Sequence, residues 1–311
     1  MSVTDEELLA LAAVDGLLPE TDGLPDGVVL VSCAQPYLAL LVARRLAQAL
    51  VPARMRAHDL HQAVPETGRW TVADVEERIA RPAGLRPAGE RQVILVADAD
   101  QMSAGTADRL LKPLEEPGHG TVFVLACRDA DGLADTIRSR AMRHLRVPEL
   151  DPERLAAVLG GRGVPAGPAA AAFLARTPFV PHVLGLPADQ ARPLCDRLAE
   201  LAAPAAGPSF TAAEAVAAAA SAAAAALTGK GERHPDTKAA LRELVAAHLS
   251  AVEAAQVRRL VQAATADDLD AAERALRQAA RARLALHRHA PIAPALATLY
   301  TSLPAPSGAT P

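Results

Sequence analysis

Aromatic residues and cysteines are scarce in this chain of 311 residues, and each shortage excludes a class of function. Phe, Tyr and Trp together make up 2% of the sequence, so we do not expect a surface that binds single-stranded nucleic acid by stacking many bases. The three cysteines, Cys33, Cys127 and Cys195, lie far apart without a CxxC pair. This spacing disfavours a tetrahedral zinc site and a disulfide framework. Sparse, unpaired cysteines are typical of a reducing cytosol, and we expect a cytoplasmic protein.

Strong charge of either sign and long hydrophobic runs are also missing. The formal net charge is -4 and the isoelectric point is near 6.1, so any contact with DNA has to be local. The first ten residues contain three acids and lack the basic start of a signal peptide. The alanine run over residues 215–226 is apolar, but it is too short for a membrane span. We therefore predict no membrane attachment.

A strand, a helix and a second strand are predicted near the middle of the chain. Residues 93–96 and 121–125 are short apolar runs, the pattern of buried parallel strands. Between them a helix is predicted over about 103–116, with Ser103 as its N-cap and Pro117 after its end. This order predicts a βαβ unit with a right-handed crossover.

Two motifs lie in and beyond this unit. Residues 110–117 read LLKPLEEP, and residues 136–140 read TIRSR. The pair resembles the LLKxLEEP and TIxSRC blocks of the bacterial DNA polymerase III clamp-loader subunits, a branch of the AAA+ family, and most closely the delta prime type. Residues 58–60 and 65–66, HDL and PE, resemble the HPD and PE segment of that family. Ala141 stands where the family has its cysteine.

The resemblance implies a fold class of α/β plus all-α, with an AAA+ P-loop-type parallel sheet domain, a helical lid and a C-terminal helical collar. Pro148, followed by Asp151-Pro152-Glu153 at a helix start, predicts the end of the first domain. We predict a degenerate nucleotide-fold domain over 1–148, a lid over 149–200 and a collar, which would hold subunits together, over 209–301. Residues 302–311 are predicted to be a disordered tail from their composition.

The groups that would bind ATP are missing from the first strand and its loop. An active member of the family would carry GxxxxGK[ST] between its first strand and helix, where backbone N–H groups and a lysine hold the phosphates. Here residues 32–39 read SCAQPYLA, without glycine or lysine, and Pro36 removes one backbone donor. We predict that no nucleotide is bound in the usual manner.

The metal-binding end of the next predicted strand is also altered. The Asp-Glu-Ala of the family reads Ala97-Asp98-Ala99 here, which replaces the metal ligand by alanine and the catalytic glutamate by Asp98. A shifted register would make Asp98 the metal ligand and Asp100 the base. A third interpretation is that both acids cap the following helix or stay solvated. The strand after that ends at Ala126-Cys127, where active members carry a polar residue.

The resemblance implies a role for Arg140, with Ser139 as its flanking motif residue. During phosphoryl transfer, charge on the phosphoryl group can be stabilised by an arginine supplied in trans, and a planar guanidinium binds oxygens bidentately. We predict that Arg140 is an arginine finger for the ATP-Mg of a neighbouring subunit. The simpler interpretation is a surface arginine in an arginine-rich protein. Arg138, Arg143 and Arg146 are predicted to be solvated or interface charges.

These observations predict a delta prime-like subunit of the DNA polymerase III holoenzyme without an ATPase of its own. As the resemblance implies, its partners would be gamma or tau and delta subunits in a five-membered ring, the sliding clamp and primer-template DNA. No cofactor, zinc or other metal is expected in the chain itself. The alternatives are an active AAA+ ATPase that uses Asp98, Asp100 and the loop over 32–37, or a diverged scaffold outside replication.

Overall fold

A computed structural model of the chain describes residues 5–12, 24, 26–65, 70–202, 210–232, 234–263, 265–287 and 290–303. Its internal contacts divide the chain after Leu150, two residues beyond the predicted boundary, into an α/β unit over 3–150 and a helical unit over 151–311. Each unit is described by itself. Residues 203–208 between the predicted lid and collar, residues 304–311 of the predicted tail and Glu66 of the PE segment lie outside the described residues. Ser302 and Leu303, the first two residues of the predicted tail, are described, and Leu303 is buried.

The α/β unit is built on a five-stranded sheet in the order β2-β3-β4-β1-β5, and all four strand pairings are parallel. The strands are β1 (Gly27–Ser32), β2 (Leu60–Ala63), β3 (Gln92–Val96), β4 (Thr121–Cys127) and β5 (Ala141–Arg146). The helices are α1 (Asp5–Leu11), α2 (Pro36–Leu50), α3 (Arg56–Asp59), α4 (Val72–Val75), α5 (Arg81–Ala83), α6 (Ala104–Glu115) and α7 (Asp135–Arg138). A π-helical turn, Glu76–Ala80, joins α4 to α5.

The predicted βαβ unit is confirmed as β3, α6 and β4. Every residue of β3 and β4 is buried, as expected for inner strands of a parallel sheet that is covered on both faces. Ser103 caps α6 by accepting a hydrogen bond from the backbone N–H of Thr106 at 3.3 Å, and the helix ends at Glu115, one residue earlier than predicted. Leu110 and Leu114 of α6 pack against this part of the core.

The helical unit contains the helices from α8 to α15. They are α8 (Pro152–Gly161), α9 (Pro168–Ala175), α10 (Val180–Gly185), α11 (Ala188–Ala202), α12 (Phe210–Thr228), α13 (Pro235–Gln262), α14 (Ala266–His287) and α15 (Ile292–Tyr300). Helix α11 contacts both α9 and α12, and α13 contacts both α12 and α14. The predicted lid and collar therefore lie in one compact unit, and their separate limits stay predictions. The predicted fold class, α/β followed by all-α, is confirmed.

Helix α12 contains the alanine run and is longer than that run suggested. Its window Thr211–Thr228 is long and apolar enough to cross a membrane by length and composition alone. Ala213, Ala220, Ala223 and Ala224 on this helix are nevertheless fully buried, and the helix contacts α11, α13 and α15. Because 33% of this window is buried and the helix packs against three others of its unit, α12 is not a clear membrane span.

A buried histidine links three helices of this unit. The Nδ1 atom of His248 lies 2.7 Å from the carbonyl oxygen of Leu201, and its Nε2 atom lies 2.6 Å from the hydroxyl of Tyr300. The carbonyl can only accept, so in the neutral ring Nδ1 carries the proton and the Tyr300 hydroxyl donates to Nε2. Burial raises the pKa of Tyr300 to about 12. The three residues connect α11, α13 and α15.

Candidate functional site

The loop between β1 and α2 holds only three residues, Cys33, Ala34 and Gln35, before Pro36 opens the helix. Gln35 is 2% exposed, and its Oε1 atom accepts a hydrogen bond from the backbone N–H of Leu150 at 2.9 Å. The backbone N–H of Cys33 donates to the carbonyl of Cys127 at 3.2 Å. The loop therefore runs directly from strand to helix, and its polar groups are directed to other parts of the same unit.

The polar and thiol groups beside this loop are paired or buried. Ser32 Oγ lies 2.8 Å from His144 Nε2 on the adjacent strand β5, and burial, helped by the charge of Arg146, lowers the pKa of His144. Burial also raises the pKa of Cys33 to about 11 and that of Cys127 to about 12. At neutral pH both are thiols rather than thiolates, which makes them poor nucleophiles and poor metal ligands.

The acids after β3 adopt different roles. Asp98 has a left-handed backbone, with φ of 47°, and stands before the short 3-10 helix Ala99–Gln101. The Oδ1 atom of Asp100 accepts a hydrogen bond from the backbone N–H of Arg128 at 3.2 Å, which joins the ends of β3 and β4. Ala97, which the ungapped alignment with the family would put in the position of the metal ligand, is buried. Among the described residues, no group of three or more His, Cys, Asp or Glu side chains could hold a metal ion.

Asp59, in the segment that resembles HPD, is a buried structural carboxylate. It is 2% exposed and accepts hydrogen bonds from the backbone N–H groups of Ala88 and Gly89, each at 2.7 Å. Its negative charge is thus balanced by two backbone donors in the turn before β3. The neighbouring His61 is half-buried, and burial lowers its pKa. The contacts of Asp59 therefore join the turn before β3 to the end of α3, immediately before β2, which is a structural role.

The two sequence motifs meet at Arg140. Its Nη2 atom donates to Glu115 Oε1 at the end of α6, and its Nη1 atom donates to the carbonyl of Thr136 in α7. Ser139 Oγ donates to the same carbonyl at 3.3 Å. The Arg140 side chain is 29% exposed. The predicted finger and its flanking serine therefore lie on the surface of the α/β unit, in contact with both motifs.

The other arginines of this region differ from Arg140. Arg138 forms ion pairs with Asp131 at 2.6 Å and with Asp135 at 2.5 Å. Arg143 and Arg146 are exposed on the edge strand β5. Arg138 is thus held by local acids, while the two arginines on β5 face solvent.

Sequence reasoning missed Glu115 as a member of this site. The available signal was its place in the helix: Glu115 is the last residue of α6. An acid there is disfavoured by the helix dipole, because the helix C-terminus carries partial negative charge. Such an acid is expected to have a cationic partner, and Arg140 supplies it.

The comparisons with known proteins match the part of the chain that contains these motifs. Residues 47–150 match the family described as "DNA polymerase III, delta subunit". A stretch of 95 residues is 37% identical to the DNA polymerase III subunit delta' of Escherichia coli strain K12, which is 29% of this chain and 28% of that relative's length. The resemblance to delta prime subunits is thus confirmed over residues 47–150, which are part of the α/β unit.

Two solved structures are similar over longer stretches but at lower identity. A DNA polymerase III gamma subunit-related protein from Thermotoga maritima is 16% identical, covers 94% of this chain and 97% of its own, and has a TM-score of 0.45. The RuvB Holliday junction branch migration motor from Thermotoga maritima is 16% identical, covers 62% of this chain and 61% of its own, and has a TM-score of 0.36. These likenesses are too distant to carry an argument about function.

Proposed function

We propose that this chain is a delta prime-like subunit of a bacterial DNA polymerase III clamp loader, a cytoplasmic stator that hydrolyses no ATP itself. Its partners would be gamma or tau and delta subunits in a five-membered ring, together with the sliding clamp and primer-template DNA. The observation that carries the proposal is Arg140, exposed in part beside the LLKPLEEP and TIRSR motifs, within the region matched by the delta subunit family.

The loop after β1 supports the absence of an ATPase. A phosphate cradle needs several backbone N–H groups directed at one point and a lysine that reaches the phosphates. This loop has three residues, and Gln35 is buried against Leu150. In the family, an aspartate that binds the metal precedes the acid aligned with Asp98. Here the residue before Asp98 is the buried Ala97, which has no group that could bind a metal.

Arg140 can still act on a nucleotide held by another subunit. Most of the catalytic power in phosphoryl transfer comes from positioning and charge stabilisation, and a finger in trans is worth several orders of magnitude in rate in the best-studied cases. An arginine at a surface turn is suited to this role because its guanidinium stays charged at any physiological pH. The chain would thus contribute one catalytic residue to an active site whose nucleotide is bound by another subunit.

The test is the clamp- and DNA-stimulated ATPase of a ring reconstituted with its gamma-type partner. Arg140→Ala is compared with wild type and with Arg143→Ala, which removes an exposed arginine of the same region. We expect a rate loss of about tenfold or more for Arg140→Ala only, since a finger stabilises charge in the transition state. The isolated chain should show no turnover. A control first confirms that the wild-type and variant chains assemble into rings equally well. An unchanged ATPase rate for Arg140→Ala would then contradict the role of Arg140 as an arginine finger.

A further inference from the structure

The guanidinium of Arg140 is already occupied within its own chain. One terminal nitrogen donates to Glu115 and the other to the carbonyl of Thr136. A phosphate group approaching from another subunit would meet a guanidinium whose charge is balanced by a carboxylate. Binding that phosphate through the same nitrogens requires that the contact with Glu115 be broken or shared.

The position of Glu115 at the end of a helix explains why its carboxylate pairs with Arg140. Glu115 ends α6, where the helix dipole disfavours an acid. Arg140 relieves that unfavourable charge and gains a charge-assisted hydrogen bond. The neighbouring acid of the same motif, Glu116, lies one residue beyond the helix and is exposed. The two glutamates of the motif are therefore not equivalent.

We infer that Glu115 is the resting partner of Arg140, a positioning residue that oxygens of the neighbouring subunit's nucleoside triphosphate displace when the finger engages. The inference rests on the proposed finger role of Arg140. In the resting ring, Glu115 holds the guanidinium in one place and balances its charge. When the triphosphate is bound, its higher negative charge attracts the Arg140 guanidinium more strongly than Glu115 does. The Glu115 carboxylate then loses this contact and is hydrated by water.

The expected size of the effect follows from the exposure of the pair. The side chains of Arg140 and Glu115 are 29% and 49% exposed, so water screens their attraction and the competition is modest. Removing such a competitor is expected to tighten nucleotide binding at the neighbouring site by about twofold to fivefold. The rate at saturation should not change, because Glu115 is already displaced in the saturated wild-type ring and is absent from the Glu115→Gln ring.

The experiment measures the half-saturating ATP concentration and the saturated rate of the assembled ring, together with binding of a non-hydrolysable ATP analogue. Glu115→Gln is compared with wild type and with Glu116→Gln, which makes the same charge change one residue away. Both substitutions are repeated in an Arg140→Ala background, which forms a double-mutant cycle. Equal assembly of every ring is confirmed first.

The inference predicts tighter binding for Glu115→Gln alone, an unchanged saturated rate, and no effect of Glu115→Gln once Arg140 is alanine. Unchanged affinity, weaker affinity, or the same tightening in the Arg140→Ala background would each overturn it. Failure of the proposed function has a different signature, because Arg140→Ala by itself would then leave both the rate and the affinity unchanged.

Discussion

The buried imidazole of His248 makes the helical unit sensitive to acid. His248 is 1% exposed and contacts Leu201 and Tyr300 through its two ring nitrogens. Burial lowers the pKa of His248 below its usual value of 6.5, and the hydrogen bond to Leu201 opposes this only in part. The folded chain therefore holds His248 neutral at pH values at which the unfolded chain protonates it.

The sign of the pH effect follows from proton uptake. Below about pH 6.5 the unfolded state binds more protons than the folded state, so the free energy of unfolding falls as the pH falls. The stability from this group is fully present above pH 6.5 and decreases by at most about 1.4 kcal/mol per pH unit below it. Replacing His248 by glutamine removes this dependence and weakens two buried hydrogen bonds, which costs about 1–3 kcal/mol at pH 7.5.

Urea unfolding at pH 7.5, 6.5 and 5.5 tests this, with two probes that report on different units. Far-UV circular dichroism is dominated by the helical unit. The fluorescence of Trp70, the single tryptophan of the sequence, reports on the α/β unit. We expect the wild-type helical transition to move to lower urea between pH 6.5 and 5.5. For His248→Gln, the urea concentration at the midpoint should be lower than that of the wild type at pH 7.5, and it should change less between pH 7.5 and 5.5.

The matched control is His182→Gln, which changes an exposed histidine of the same unit. It should unfold as the wild type does at every pH. Equal pH-dependent shifts for wild type and His248→Gln would refute the argument, because the buried ring would then take no part in the proton balance. A shift confined to the Trp70 signal would refute it as well and would point to histidines of the α/β unit.

Two further predictions concern buried polar and thiol groups. Asp59→Ala removes a buried carboxylate that accepts hydrogen bonds from the backbone N–H groups of Ala88 and Gly89. Because both donors lie on exposed residues, water can replace the lost acceptor, and we expect the free energy of unfolding to fall by about 2 kcal/mol, measured by urea titration of Trp70 fluorescence. A loss below about 1 kcal/mol would contradict the structural role of this carboxylate. Cys33, Cys127 and Cys195 are buried thiols whose pKa values are raised to about 11, about 12 and about 11. They should react with Ellman's reagent at pH 8 only after unfolding, and rapid labelling of the native chain would contradict their burial.

The sequence predicted the central βαβ unit well because its signals are local. Continuous apolar runs of β-branched residues form inner strands of a parallel sheet. Ser103 accepts a hydrogen bond from a free backbone N–H group in the first turn of α6, and this contact depends only on neighbouring residues. The two motifs also pointed to a family, and the comparisons confirm that resemblance over residues 47–150. The alanine run over 215–226 covers only part of helix α12, because alanine continues a helix without any periodic signal that marks its ends.

The pairings between distant residues could not be predicted in this way. Gln35 accepts a hydrogen bond from a residue 115 positions away, and Asp59 binds a turn about thirty positions away. Side chains of this kind carry no local pattern, since their partners are chosen by the path of the sheet. The role of Asp100 was left open among three interpretations for the same reason.

The amino-acid sequence by itself determined the strand-helix-strand order of the central unit, the missing phosphate-binding residues and the motif arginine. Each of these depends on residue type and spacing within a short stretch. Only the tertiary structure decided that Arg140 rests on Glu115, because 25 residues separate them and the contact exists only where the end of α6 meets the turn after α7. It likewise decided that His248 is buried between helices, since an isolated histidine on a helix carries no sign of the environment that packing creates.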